Sequence, residues 1–445
     1  MSVSTKHPEY TAERAADWRL CRDAYEGETA FKAAGSLYLP KPSGYSKAAG
    51  HTDDGQAAYA AYKARAEFPE ILGPSIGAMV GIIHGTEIQI DIPDALTYLH
   101  ENANGQRKTL VDFHREITRQ LLIAGRYGVL ADAPQGGGDP FLAGYEAQTI
   151  INWDDGFYVL DETADVREGF LWKRVEQYRV LQMEEGRYVQ VMHSGGTETD
   201  VTPTMQGGGG LSRVPFVVAS ATDLEADIET PPMIGIARAA KAAYQLSADY
   251  RLQLYMSGQE TLVAINGAAP QAVGAGVVHE MHGSEQMTPD LKYVSPSCAG
   301  IEAHKVAIEH CERRAVMAGA RMFEQSEQAQ ESGEARALRF KSETANLKTV
   351  AQSSCSLLER ALRNVAMMKG LPEDSVTVTP PEDLLDATIE PQQAAQLWTI
   401  VKEGGLSYET FYERLQKGGI ASPERTADEE YELAAQKVFE GEALV

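Results

Sequence analysis

The chain has 445 residues, 43% apolar and 23% charged, enough to bury a sizeable core and to fill two to four domains of ~100–200 residues. Its formal net charge of −24 excludes a protein that grips nucleic acid by neutralising phosphates, because that grip needs a basic surface. No run of ~18 apolar residues occurs, so no transmembrane helix is expected, and the polar opening MSVSTKHPEYTAERAADWRL does not read as a secretory signal.

In chain order, Pro8 to about Glu28 reads as a helix with Trp18, Leu20, Cys21 and Tyr25 near one face. FKAAGSLYLPKPSGYSKAAG, rich in Gly, Pro and Ser, reads as loop. Ala57 to Phe68 is helical, with Tyr59, Tyr62 and Ala66 on one face. The Gly-dotted apolar stretch ILGPSIGAMVGIIHG reads as a buried, tightly packed helix too short to span a bilayer. Leu110, Phe113, Ile117 and Leu121 mark an amphipathic helix ending at Gly125, followed by the short buried strand YGVLAD and the turn PQGGGDP. From Thr149 to Ser220 the pattern is β: GFLWKRVEQYRVLQM and RYVQVMH alternate around EEG as a hairpin. MQGGGGLSRVP is a flexible connection and PFVVAS a buried strand.

After ETPP the character changes. Met233 to Ser257 reads as a long helix started by Pro231 and Pro232. A β-like island spans Glu260 to Val294, with three short strands in ETLVAIN, GVVHEMH and LKYVS. Helix resumes at about Ala299, where Ile301, His304, Ile308, Cys311, Ala315, Ala318 and Met322 form a heptad-like seam of small and medium side chains, ~33 Å long. The acidic, glutamine-rich stretch FEQSEQAQESGEA then interrupts. The next helix runs from about Glu334 to Lys369, with Leu347, Val350, Ser354, Leu358, Leu362 and Val365 as its buried face and Gly370 with Pro372 as its stop. The tail has a short strand, SVTVTP, and helices around PQQAAQLWTIVKEGG, SYETFYERLQKGG and ERTADEEYELAAQKVFEGE. From Ala421 onward it carries seven acidic residues against two basic ones.

Chemistry is sparse. Cys21, Cys298, Cys311 and Cys355 lack CxxC spacing, which argues against a disulfide framework and a cysteine-rich zinc site and for buried thiols in a reducing compartment. His279, Glu280 and His282 form HEMH, which is not HExxH: at this spacing the two histidines share neither a helix face nor a strand face. His304 and Cys311 lie seven apart on the seam helix with no further ligand close in sequence. A metal-dependent hydrolase built on these residues is the enzyme alternative; elemental analysis for stoichiometric metal discriminates it. GGGD and GGGG lack the Lys-Ser/Thr of a phosphate-binding loop, AVGAGVV is no dinucleotide fingerprint, and GxSxG is absent. No catalytic, cofactor-binding or metal residue is assigned, no cofactor is expected, and the chain does not read as an enzyme.

Three stretches carry a resemblance: KAAGSLYLPKPSG (Lys32 to Gly44), AAYAAYKARAEFPEILGPSIGAMVGIIHG (Ala57 to Gly85) and LLIAGRYGVLADAP (Leu121 to Pro134). In this order and spacing they resemble the N-terminal part of tailed-bacteriophage portal proteins, the head-to-tail connectors of the virion. There, a Tyr-Leu-Pro loop precedes a Tyr-rich helix ending in Arg-Ala-x-Phe, then an apolar helix and a Gly-Arg-x-Gly-Val-Leu-x-Asp strand. This chain departs where FPEILG and GIIHG stand in place of more polar and basic residues.

The resemblance implies an α+β subunit of a ring of twelve copies at one capsid vertex. It implies a mixed α/β wing (1–230), a first stem helix (231–258), a clip (259–297), a second stem helix (298–322), a tunnel loop (323–334), a long wing helix with return strand (335–384) and a helical crown (385–445). It further implies a conduit for DNA in packaging and ejection. The partners implied are the terminase large subunit, the major capsid protein, head-to-tail adaptor or tail proteins, and double-stranded DNA passing without sequence-specific binding; no membrane is involved. Another head-to-tail connector component is the nearer alternative. The stripe from Ile301 to Met322 becomes the ring seam. The acidic break becomes the loop facing the DNA, where Glu324, Glu327 and Glu331 repel phosphates while Gln325, Ser326, Gln328, Gln330 and Ser332 offer replaceable hydrogen bonds.

Overall fold

The computed structural model describes residues 2–85, 88–135, 137–205, 208–258, 260–270, 272–273, 277–284, 286–294, 300–320, 333–381, 398–402, 405, 407–417, 421–422 and 425–433, with backbone alone at 319–320 and 333–346. The chain divides into two compact units, Met1–Pro380 and Pro381–Val445. The fold is α+β, as expected.

In the first unit, helix α1 (Ala12–Glu26) starts where the Thr11 side chain accepts from the Arg14 N–H, and it ends at Gly27. It buries Trp18, Leu20, Cys21 and Ala24. Helix α2 (Glu28–Ala34) follows at once, where Gly and Ser content predicts loop: Phe31 is fully buried, and that burial outweighs the weak local propensity. Helix α3 (Gln56–Arg65) buries Tyr62. Helix α4 (Leu72–Ile83) buries Leu72, Ile76, Met79 and Ile83 on one face, but Gly77, Ala78 and Gly81 are exposed on the other. Gly77 and Gly81 therefore serve no close packing within the chain, so the helix expected to be buried and tightly packed is buried on one face, while Gly73 lies close against the Tyr25 carbonyl. Helix α5 (Leu110–Ala124) is capped by Thr109 and stops at Gly125, which takes the left-handed conformation (φ +71°).

Strand β1 (Gln89–Asp91) pairs antiparallel with β14 (Thr377–Thr379). Strand β2 (Arg126–Asp132), buried at every position, lies between β3 (Phe141–Glu146) and β11 (Phe216–Ser220) in an antiparallel sheet ordered β11-β2-β3. A Cβ at Gly128 or Gly144 would collide with the Phe216 ring or the Tyr127 hydroxyl, so glycine is required for these close approaches. The second sheet is ordered β10-β9-β8-β5-β4, from β4 (Ile150–Asp154), β5 (Phe157–Asp161), β8 (Gln177–Glu184), β9 (Arg187–Ser194) and β10 (Thr197–Asp200). The β8–β9 hairpin turns at Glu185-Gly186, as EEG predicts. The stretch before it does not run on as one strand: β7 (Leu171–Val175) pairs with β6 (Ala164–Glu168) in a two-stranded ribbon exposed on both faces, with Phe170 98% exposed at its turn.

A buried polar cluster ties the two sheets together. Arg179 on β8 reaches Asp132 on β2 (2.9 Å) and forks onto Glu162 (2.6 and 3.2 Å). The Tyr145 hydroxyl on β3 donates to Glu162, and the Gln190 amide on β9 donates to Asp132.

Helix α8 (Gly333–Met368) packs against β11, β2 and α5. Leu347, Val350, Ser354, Leu358, Leu362 and Val365 are all buried, which is the face expected from spacing, and Gly370 follows at φ +69°. In the second unit, helix Tyr408–Lys417 buries Phe411 and Tyr412, and the Trp398 ring lies against Phe411 (5.3 Å between centroids).

Candidate functional site

Helix α6 (Ile234–Ser257) and helix α7 (Ile301–Ala320) form an antiparallel hairpin: Gly235 lies beside Ala318 at one end, and Gly300 beside Gln253 at the other. Between them, β12 (Thr261–Ile265) pairs with β13 (Asp290–Val294), from Thr261↔Val294 to Ile265↔Asp290. The third strand expected at GVVHEMH is not formed: residues 277–283 are irregular, with a single bridge at Ser284↔Met287 just beyond. A two-stranded ribbon offers that segment no sheet face to pack on.

The residues of the portal resemblance hold the base of α6. Phe31 stacks on Phe68 (3.9 Å) and Tyr38 (4.3 Å) and meets Tyr244 of α6 edge-on (5.7 Å). The Tyr62 hydroxyl donates to Asp249 (2.5 Å), the Ser247 hydroxyl donates to the Glu67 carbonyl (2.7 Å), and the Gln245 amide donates to the Tyr38 carbonyl (2.6 Å). Glu67 pairs with Arg251, and Asp17 with Arg238 (2.9 Å). The Tyr-Leu-Pro loop and the Tyr-rich helix are thus the socket of the hairpin.

Beyond the socket the hairpin loses its cover. Leu254, Met256, Val278, Met287, Tyr293 and Val306 are 41–90% exposed. Large apolar side chains left in water are surface that another chain could cover.

The predicted seam has a different neighbour from the one expected. Cys311 and Ala315 are buried, and Ile301, His304, Ile308 and Ala318 half-buried, on the side of α7 that faces α6 of the same chain. A helical hairpin must close on itself before it can meet a copy. The side left open carries Val306, Val316 and Met317. Met322 and the break residues Glu324, Gln325, Ser326, Glu327, Gln328, Gln330, Glu331 and Ser332 lie outside the described residues, as does Cys298. Cys21, Cys311 and Cys355 are free and buried.

The enzyme alternative finds no support in this geometry. His279 is half-buried while Glu280 and His282 are exposed, His304 Nδ1 bonds to the Gly300 carbonyl (2.9 Å), and among the described residues no three His, Cys, Asp or Glu side chains could hold a metal ion. Among the described residues no helix is long and apolar enough to cross a membrane.

One Ser–His contact escapes sequence reading because its members are 240 residues apart. His114 on α5 lies 3.2 Å from the Ser354 hydroxyl and 3.8 Å from the Cys355 sulfur, with the His84 ring against it (4.9 Å). His114 and Ser354 are both buried, so no substrate reaches the pair and it packs helices together. Burial lowers His114 to about 3, aided by His84, and lowers His84 to about 4, aided by Arg115 and Arg119. Burial also pushes the Cys355 thiol up to about 12.

Both histidines fold neutral, so below pH ~6.5 the unfolded chain takes up protons that the native chain refuses. Stability is therefore expected to fall as pH drops from about 6.5 towards 4, by several kcal/mol in total, and to be independent of these groups above 6.5. Urea unfolding between pH 6.5 and 5 checks this. In His114→Met the slope flattens, and an unchanged slope excludes the histidine from it.

Residues 232–368 match a family model described as a domain of unknown function, DUF4055. No curated protein matches the chain. Among solved structures the chain is similar to a chain in the neck of an empty GTA particle computed with C6 symmetry (15% identity, 78% of this chain and 89% of that one, TM-score 0.41). It is also similar to chains in the virion of a native gene transfer agent (GTA) particle (14%, 78% and 88%, TM-score 0.39) and in the neck of a native GTA particle computed with C12 symmetry (15%, 78% and 91%, TM-score 0.37). The chain resembles phage portal proteins. The DUF4055 match begins at the start of α6, spans both hairpin helices and ends with α8.

Proposed function

We propose that this chain is the repeating subunit of a portal ring: twelve copies at one capsid vertex, a conduit for DNA in packaging and ejection, and a platform for the terminase motor and for adaptor or tail proteins. The observation that carries this reading is the α6–α7 hairpin, rooted in the portal-like N-terminal residues and uncovered over its far half and tip. Such a surface is stable in water when copies cover one another. In this reading 231–258 and 298–322 are the stem, 259–297 the clip, 323–334 the loop facing the bore, 1–230 and 335–384 the wing, and 385–445 the crown. A net charge of −24 per copy suits a channel along which DNA slides, because phosphates are repelled rather than held.

Negative-stain microscopy and native mass spectrometry of the purified chain test it. Rings are expected. Val278→Asp combined with Val306→Asp is expected to abolish them without shifting the thermal unfolding midpoint, since both side chains are exposed in the subunit. A monomer or dimer under every condition sinks the reading. Deletion of 325–332 is expected to leave rings intact while lowering packaged DNA; normal genome content in that variant removes the channel role of the break alone.

A further inference from the structure

Strand β11 ends its sheet, and its outer edge is unfinished. The Ala131 N–H donates to the Pro215 carbonyl (2.9 Å) and the Ala221 N–H to the Gly125 carbonyl (3.2 Å), so residues 215, 217, 219 and 221 turn their main-chain groups towards β2. Phe216, Val218 and Ser220 turn theirs away. Ser220 is provided for: its N–H donates to the Asp223 carbonyl (2.8 Å), and its carbonyl accepts from the Ser353 hydroxyl (2.7 Å). The outward groups of Phe216 and Val218 have no partner among the described residues, although both residues are about 5% exposed or less. Unpaired main-chain groups on a strand edge are a template for another strand.

This edge borders a cleft of about 420 Å³ whose lining includes Val218 and Leu224, the three arginines Arg213, Arg360 and Arg363, and one carboxylate, Glu373. Arg213 pairs with Glu373 (2.8 Å) and Arg363 with Glu359 (2.8 Å). Arg360 is exposed and pairs with no carboxylate among the described residues. With Arg213 and Arg363 each paired to a glutamate, the exposed guanidinium of Arg360 is the uncompensated charge beside the strand edge, on a chain whose net charge is −24.

We propose that β11 accepts an extended acidic segment of a different protein by strand addition. The main chain of that segment pairs with the outward N–H and C=O groups of Phe216 and Val218, and its carboxylates at alternate positions face the arginines, Arg360 first. Main-chain pairing gives length and direction, and the arginines set the sign of what binds. The proposal does not depend on the ring reading.

Fluorescence anisotropy with the full-length chain and a labelled peptide, Thr-Glu-Val-Glu-Val-Glu-Thr, tests it. Saturable binding is expected, weakened at least about tenfold by Arg360→Glu and by raising salt from about 50 to about 300 mM. Arg360 is exposed, so the same variant should unfold at the wild-type temperature. A peptide with Lys at the three Glu positions should fail to bind. So should one N-methylated at alternate amides, which keeps its charges but cannot pair its backbone. No binding, or equal binding of the Lys peptide, overturns the proposal. Equal binding of the N-methylated peptide reduces the site to a surface charge contact and overturns strand addition. If the acidic peptide does not bind and Arg360→Glu instead lowers self-association in sedimentation, the edge belongs to a second copy and the proposed partner is wrong.

Discussion

Arg179→Met is expected to cost the fold about 3–5 kcal/mol in chemical denaturation. Only 16% of the Arg179 side chain is exposed, and its partners Asp132 and Glu162 are 10% and 20% exposed. Among the described residues the arginine is the cation that pairs with both, and it also bridges the two sheets, since Asp132 lies on β2 and Arg179 on β8. Removing it leaves two carboxylates facing each other with little water. Burial already raises the Asp132 carboxyl even with Arg179 opposing that shift, and the loss of the cation raises it further. A carboxyl whose folded pKa exceeds its unfolded one binds a proton more readily in the native state, so the variant should regain stability as pH falls from 7 to 5. Asp132→Asn added to Arg179→Met should recover part of the loss, because it removes the stranded charge. A single-variant cost below about 1 kcal/mol would mean the cluster is solvated and does not join the sheets.

What could be read from the sequence follows how local the cause is. The face of α8 was legible because six residues at three- and four-residue spacing decide it, and all six are buried. The β8–β9 hairpin was legible because Glu185-Gly186 allows positive φ at both turn positions. Residues 31–34 carry no local sign of helix, because Phe31 is fixed by rings at Tyr38, Phe68 and Tyr244, two of them far along the chain. Over 169–183 alternation states that a strand exists, not where it changes partner: β7 leaves the sheet for β6. The seam stripe was seen as a stripe, but period alone does not say which helix it meets, and here α6 of the same chain takes it. The arginine cleft was invisible, since Arg213 and Arg360 converge from elements 147 positions apart only once α8 lies on β11.

Phe31→Ala is expected to destabilise the first unit by about 3–5 kcal/mol and, in the same step, to loosen the hairpin. The Phe31 ring is fully buried and touches three other rings, with centroid distances of 3.9, 4.3 and 5.7 Å, so truncation leaves a cavity that rigid aromatic neighbours cannot fill. Two of those neighbours, Tyr38 and Phe68, flank the main-chain positions that anchor α6: the Tyr38 carbonyl accepts from Gln245, and Glu67 accepts from Ser247. Their displacement pulls on both anchors at once. Amide hydrogen exchange separates this from uniform destabilisation. Protection in α6 around residues 244–251 should fall by more than protection in β2, which is held independently by β3 and β11. Equal loss in the two elements would mean that the socket and the sheets unfold as one unit. Tyr62→Phe removes a single hydrogen bond to Asp249 from the same socket, and its cost of about 1 kcal/mol sets the scale against which the aromatic contribution is read.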